Sequence, residues 1–245
     1  MHETKSHYRV AIYNNYFSNQ VNKLDREYAS MLAEQASHNK AELISLLPAN
    51  KDAKIVDLGC GFGTFVKPAI DAGYVDVKGY DISQEQVDVA HQLGVKTVYL
   101  SSIETYFAKG EKVDVIVGLD IIEHFTKNEL IDFLNNVRKC LNPGGKVIFR
   151  TPNMDAPQAS VYAYGDISHE VFLNKSSALQ VMSAMGYHKT EVFGGLVRNT
   201  NPLKEIIRKI SWWKYKTFKK IVLFCTARTW HNVVFEPNLL IVAEK

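Results

Sequence analysis

From Lys54 onward, short apolar runs alternate with amphipathic stretches. The runs Ile55 to Leu58, Val75 to Tyr80, Thr97 to Leu100, Val113 to Leu119 and Gly145 to Arg150 have the length and character of strands. Between them, helical spacing covers about 64–72, 84–92, 102–109 and 127–141, and a further helix is predicted over 174–185. Strands over 187–193 and 233–243 bring the expected total to seven. Strands alternating with helices imply right-handed crossovers, so the pattern predicts a doubly wound α/β fold with a mostly parallel sheet. Ahead of it, Leu24, Tyr28, Met31, Leu32 and Gln35 recur at helical spacing, and a second helical stretch from Ala41 to Leu47 stops at Pro48. Residues 1–50 therefore read as a helical prefix or lid, and residues 51–245 as one unit without repeat or linker.

Composition changes this picture little until charge is located. The chain has 245 residues, 46% hydrophobic and 22% charged, which describes a folded globular protein. Three unpaired-looking cysteines, Cys60, Cys140 and Cys225, suit a reducing compartment and offer no zinc spacing. No basic-then-apolar leader opens the chain, and no apolar run approaches the roughly 18 residues of a spanning helix. A cytoplasmic protein is expected. The net charge of +3 hides an asymmetry: residues 201–228 carry +7, which leaves −4 on the remainder. A basic character confined to one segment argues against general nucleic-acid binding.

Placed on a helix, residues 203–221 sort into two faces. Leu203, Ile206, Ile207, Ile210, Trp213, Phe218 and Ile221 share one arc; Lys204, Arg208, Lys209, Lys216, Lys219 and Lys220 share the other, with Lys214 the exception. Such a helix either packs on the domain with a solvated charged face or lies on an anionic membrane surface, and Trp212 on the polar side favours the membrane. The expected partner is an anionic membrane met through residues 203–224, on the inner face of the plasma membrane.

The densest local signal is Val56-Asp57-Leu58-Gly59-Cys60-Gly61-Phe62-Gly63-Thr64, a strand ending in an acid and turning through alternating glycines into a helix. Glycine allows a positive φ and a close ligand approach. The next strand ends in Gly79-Tyr80-Asp81, which sets a second carboxylate at the adjacent strand tip, suited to ribose hydroxyls. The strictly alternating glycines differ from the dinucleotide spacing. Asp57 suits a ligand bearing an amine or a sulfonium better than a pyrophosphate.

With Leu119-Asp120-Ile121-Ile122-Glu123-His124 and Leu141-Asn142-Pro143-Gly144-Gly145 following in order, the chain resembles the class I S-adenosylmethionine-dependent methyltransferases of Rossmann-like fold, over residues 54–195 and again in the last strand. The resemblance implies a donor site lined by Tyr16, Asp57, Gly59, Gly61, Asp81, Ile82, Ser102, Ile103, Leu119 and His124. Ser101 and Ser102 stand where the family often places an acid for the adenine amine. The stretch 120–124 lines the donor pocket in similar proteins and binds a divalent ion in some quinone-pathway relatives; no metal is assigned here.

The loop after the fifth strand gathers Tyr162, Tyr164, Asp166, His169 and Glu170. A loop of this length is uncommon without a function. His169 is expected to act as base with Asp166 orienting it, the alternative being that both merely fasten the loop. Tyr164, Asn153 and Glu170 are expected at the acceptor. The loop resembles that of bacterial surface-polysaccharide methyltransferases. That likeness implies O-methylation of a lipid-linked glycan, with a quinone or other lipid-soluble acceptor, or a non-catalytic donor-binding module, as alternatives.

Overall fold

The computed structural model describes residues 28–245. Its elements are α1 (Tyr28–Leu43), a short 3-10 turn (Ile44–Leu46), β1 (Lys54–Leu58), α2 (Val66–Asp71), β2 (Asp76–Asp81), α3 (Gln84–Gln92), β3 (Val98–Leu100), α4 (Ile103–Ala108) and β4 (Val113–Leu119). A second 3-10 turn (Ile122–His124) leads to α5 (Lys127–Cys140), β5 (Leu141–Pro152), α6 (Ala159–Tyr164), α7 (Lys175–Ala184), β6 (His188–Gly194), α8 (Pro202–Cys225) and β7 (Asn238–Glu244). The expectation for Tyr16 lies outside the described residues.

The seven strands form one sheet in the order β3-β2-β1-β4-β5-β7-β6. β1 to β5 pair in parallel, whereas β7 runs antiparallel to both β5 and β6. Alternate residues of one strand feed opposite cores: Val56 and Ile116 pack with Phe133, Leu134 and Phe149, while Ile55, Val115 and Val117 pack with Leu43, Phe65 and Ile148. Both faces are covered, which is why the central strands read as unbroken apolar runs. Helix starts are set by local chemistry. Thr126 and Glu129 form a reciprocal capping box on α5, Asn174 caps α7 with Ser177, and Ser83 caps α3.

Three expectations are corrected. The last strand begins at Asn238 rather than Val233, because the carbonyls of Val234 and Glu236 accept from the Asn153 amide at 2.7 and 2.8 Å and Pro237 has no N–H to give a ladder. α2 begins at Val66 rather than at residue 64, since the glycine turn runs on to Phe65. The basic helix α8 docks the other way round from the usual amphipathic helix. Its half-buried positions are Glu205, Arg208, Trp212, Tyr215, Lys216, Lys219 and Leu223, spaced by three or four residues, and its apolar arc points to solvent. Trp212 therefore belongs to the docked face. Its indole N–H donates to Glu236, and it stacks on Tyr215 with centroids 5.2 Å apart.

Candidate active site

The chain leaves β1 towards β2 and β3 and returns to the other side of β1 with β4, so the sheet reverses direction between β1 and β4. Crevices at the carboxyl end of such a switch point are where open α/β sheets bind ligands. Asp57, Gly59, Gly61, Asp81, Leu119 and Asp120 all stand at that edge.

The glycine loop is stitched to β2. Gly59 and Cys60 both donate to the Tyr80 carbonyl, and Gly61 N–H donates to Asp81 Oδ2 at 2.8 Å. Gly59 and Gly61 have φ of +72° and +55°, and a Cβ on them would come within 2.6 Å of Ile121 and Gln86 respectively. Only glycine fits this turn without strain. Asp81 Oδ1 accepts from Ser83 N–H at 2.8 Å, so both carboxylate oxygens are held by backbone donors at the strand tip. Beside it Ile82 is 57% exposed, an apolar surface fit for a purine face. Ser102 caps α4 by accepting from Thr105 N–H, and Ile103 leans on the core, so both sit at the same rim in structural roles.

Asp57 is 1% exposed, and its Oδ1 has no hydrogen-bond partner. Burial, with the charge of Asp81 added, pushes its carboxyl well above the ordinary range. Burial raises Asp81 too, although the Ser83 and Gly61 N–H groups pull back. Two desolvated acids, one with an orphaned oxygen, form a site for a cationic ligand. S-adenosylmethionine carries both a sulfonium and an ammonium and fits this donor set, in which Asp57, Asp81 and Ile82 are the groups that would hold it.

Next to this crevice the loop after β5 is fastened onto the turn after β4. Glu170 and Val171 donate their N–H groups to the Glu123 carbonyl at 2.7 and 3.0 Å. The His169 and His124 rings meet edge to face, centroids 4.8 Å apart. His169 Nδ1 lies 2.9 Å from the Tyr162 carbonyl, which can only accept; Nδ1 is therefore the protonated nitrogen and Nε2 the basic one. The expected role of Asp166 is corrected: its carboxylate takes the N–H and O–H of Ser168, at 2.9 and 2.5 Å, while the His169 ring is held by Tyr162. With its proton committed to Asp166, Ser168 accepts from His124 Nδ1 at 2.9 Å, giving an Asp166–Ser168–His124 relay. Burial and the neighbouring His169 push the His124 pKa down to about 4, so His124 is neutral at physiological pH.

Glu123 is buried, accepts from the Thr151 hydroxyl at 3.1 Å and is raised well above its ordinary pKa by burial and by Asp120. One ligand atom each of Glu123, His124 and His169 lie within 4.8 Å of one another, a two-histidine, one-carboxylate set that the sequence reading left without a metal. Asn153 is corrected outright. It is fully buried, and its amide bridges to the segment before β7, so it builds the site floor and does not meet an acceptor. Tyr164 and Glu170 are exposed at the mouth.

Sequence reasoning missed the clamp that holds α1 over the edge. The Arg150 Nε–H is shared between the two carboxylate oxygens of Asp120, whose φ is +54°, and Nη2 donates to the same carboxylate at 2.5 Å; Nη1 reaches Asn39 at 2.9 Å and Glu42 at 3.1 Å. Asn39 in turn donates to the Thr64 carbonyl and hydroxyl of the glycine loop at 3.2 Å. The available signal was an arginine closing an apolar strand opposite the Leu119-Asp120 tip.

Fold and crevice define a Rossmann-like methyltransferase, and a family comparison agrees. The chain belongs to the methyltransferase-domain family whose model matches residues 28–240. Among curated relatives it is 32% identical over 124 residues to a ubiquinone biosynthesis O-methyltransferase of Roseobacter denitrificans, covering 49% of this chain and 48% of that protein. A protein of the same name from Bartonella bacilliformis is 34% identical over 105 residues, 41% of each chain. The chain thus matches about half the length of these relatives. Among solved structures, a SAM-dependent methyltransferase from Archaeoglobus fulgidus superposes with TM-score 0.65 at 16% identity, over 94% of this chain and 100% of that one. A possible histamine N-methyltransferase from Thermotoga maritima follows at 0.62 and 16%, over 94% and 98%. At these identities the structures speak for the fold.

Proposed function

We propose that the protein transfers a methyl group from S-adenosylmethionine to a hydroxyl of a lipid-soluble aromatic acceptor of the quinone-precursor type, with His169 as general base. The observation that carries the chemistry is the Nδ1 contact of His169 with the Tyr162 carbonyl, which leaves Nε2 as its basic nitrogen, on a ring that meets the relay-held His124 edge to face. The acceptor class rests on the relatives named for ubiquinone biosynthesis, which support this reading over the lipid-linked glycan suggested by the loop.

The bound donor supplies an electrophilic methyl on a sulfonium. The chain's own groups do the rest. Asp57 and Asp81 would hold the donor's cationic and ribose ends, and His169 Nε2 would take the acceptor's hydroxyl proton as that oxygen receives the methyl group the donor would supply. Positioning supplies most of the acceleration in such an in-line displacement, and a well-placed base about 10²- to 10⁴-fold more. Tyr164 and Glu170 at the mouth would contact the acceptor.

The test is turnover of labelled S-adenosylmethionine with a prenylated catechol, and with a lipid-linked glycan in parallel. His169→Ala is expected to cut kcat by about 10²-fold or more with donor affinity retained. Undiminished transfer by the variant would remove the base assignment. Transfer to the glycan alone would replace the acceptor. Activity lost to EDTA and restored by a divalent ion would turn His169 from base into metal ligand beside Glu123 and His124.

A further inference from the structure

Among the described residues, the outward face of α8 carries a continuous run of exposed large apolar side chains. No residue of this 24-residue helix is buried. Leu203, Ile206, Ile210, Trp213, Ile221 and Phe224 all point away from the body, with Trp213 65% and Phe224 72% exposed. The opposite face is anchored by Trp212 and Lys216, both on Glu236 at 3.3 Å. A helix that spends its polar face on its own domain and its isoleucines on solvent is the reverse of what water selects.

Charge identifies what covers it. At about 100° per residue, the stripe is bordered by Lys204 on one edge and by Lys209 and Lys220 on the other, with Lys214 inside it. Glu205 is the one acid on the helix, and it is turned inward and held by Arg208 at 2.6 and 2.7 Å. A second copy packed on the stripe would set lysine edge against lysine edge. An anionic lipid surface satisfies both features: apolar side chains enter the acyl boundary while the lysines reach up to phosphates. α8 is also too charged to span, and no helix among the described residues is long and apolar enough to cross a membrane.

The topology adds a reason. β6 ends at Gly194 opposite Leu239 of β7, and β7 begins opposite Pro152, the last residue of β5. The connection that holds α8 therefore hangs from the carboxyl edge of the sheet, the edge of the methyl-transfer crevice. Asn153 pins the floor of that crevice to the return segment through Val234 and Glu236.

We propose that α8 is an in-plane anchor that lies in the interface of an anionic bilayer with its isoleucine and aromatic stripe immersed, and so sets the open edge of the site against the membrane. The inference stands apart from the identity of the acceptor. It is tested on the full chain by flotation with vesicles of phosphatidylcholine alone and with phosphatidylglycerol added. Binding to the anionic vesicles should be at least about ten-fold tighter and should weaken with salt. The double variant Ile206→Glu/Ile210→Glu should lose at least about ten-fold in vesicle binding with melting temperature and S-adenosylmethionine affinity unchanged, because neither side chain packs on the body. Equal and low recovery with both vesicle types would overturn the anchor. So would sedimentation velocity showing a dimer that this double variant dissolves, which would assign the stripe to a second copy.

Discussion

At the residue scale the site holds its reactive groups in costly states, and Asp57 is the clearest case. An ionised carboxylate with an orphaned oxygen in a desolvated position opposes folding. Its raised folded pKa means that the native state binds the extra proton, so stability falls as pH rises from the ordinary aspartate value of 3.8 through the folded one and stays low above it. Asp57→Asn is therefore expected to leave melting temperature unchanged or higher at pH 7.5 while S-adenosylmethionine affinity drops at least about ten-fold, read by calorimetry of unfolding and of binding. A variant that melts lower, or binds as before, would remove Asp57 from the donor site. His124 has the opposite linkage. Its pKa of about 4 lies below the ordinary 6.5, so its contribution is complete above pH 6.5 and is lost as pH falls from there towards 4. A contribution on the order of 3 kcal/mol is at stake. His124→Gln should flatten the stability profile in that window. The two strand-tip acids were legible in the sequence because short apolar strands ending in Asp advertise themselves. The relay through Ser168 was not, because a serine between Asp166 and His169 gives no periodic or spacing signal, and only the fold brings it to His124.

At the element scale, α1 is held over the crevice by one buried network. Burial alone would raise Glu42, but His38, the Leu196 N–H and Arg150 together take it below the ordinary 4.5. Its contribution is thus present above pH 4.5 and lost as pH falls through the lowered value. Glu42→Gln keeps the shape and removes the charge, leaving Arg150 short of a partner; about 1–3 kcal/mol of stability is expected to go. The gap in melting temperature between the two proteins should be constant from pH 6 to 8 and close below pH 4.5, and donor affinity should fall with it, since Asn39 of the same helix carries the glycine loop. A gap that persists at low pH would place the effect in packing, not charge. The strands from β1 to β5 were readable because parallel strands buried on both faces are continuous apolar runs. The start of β7 was not. Val234 and Phe235 are as buried as strand residues, but their stretch of backbone is tied to Asn153 and broken by Pro237, which a hydropathy pattern cannot register. Periodicity likewise gave α8 two faces without saying which one docks; that was decided by Glu236, which draws Trp212 and Lys216 inward.

Among the described residues, donor crevice, α1 clamp and α8 all depend from the carboxyl edge of one sheet, while the opposite edge carries short turns such as Ala72 to Val75 and Lys109 to Lys112. That separation predicts which parts can be removed independently. Since α8 buries no residue, replacing residues 202–228 by a glycine-serine linker should cost the body little: the lost contacts are partly exposed pairs such as Lys216–Glu236, each worth about 0–1 kcal/mol. For a domain of this size that is a few degrees of melting temperature at most. S-adenosylmethionine should still stabilise the shortened protein, by about 2.7 kcal/mol at a hundred-fold excess over Kd, because the groups proposed to hold it are on β1 and β2. Transfer to an acceptor dissolved in detergent should likewise survive. Transfer to the same acceptor embedded in anionic vesicles should fall at least about ten-fold, as a change in apparent KM with kcat retained, because the proposed anchor would concentrate enzyme at the surface without touching the reacting atoms. A loss of kcat on the dissolved acceptor would instead mean that α8 shapes the crevice itself, and the division of this sheet edge into a catalytic and a docking half would not hold.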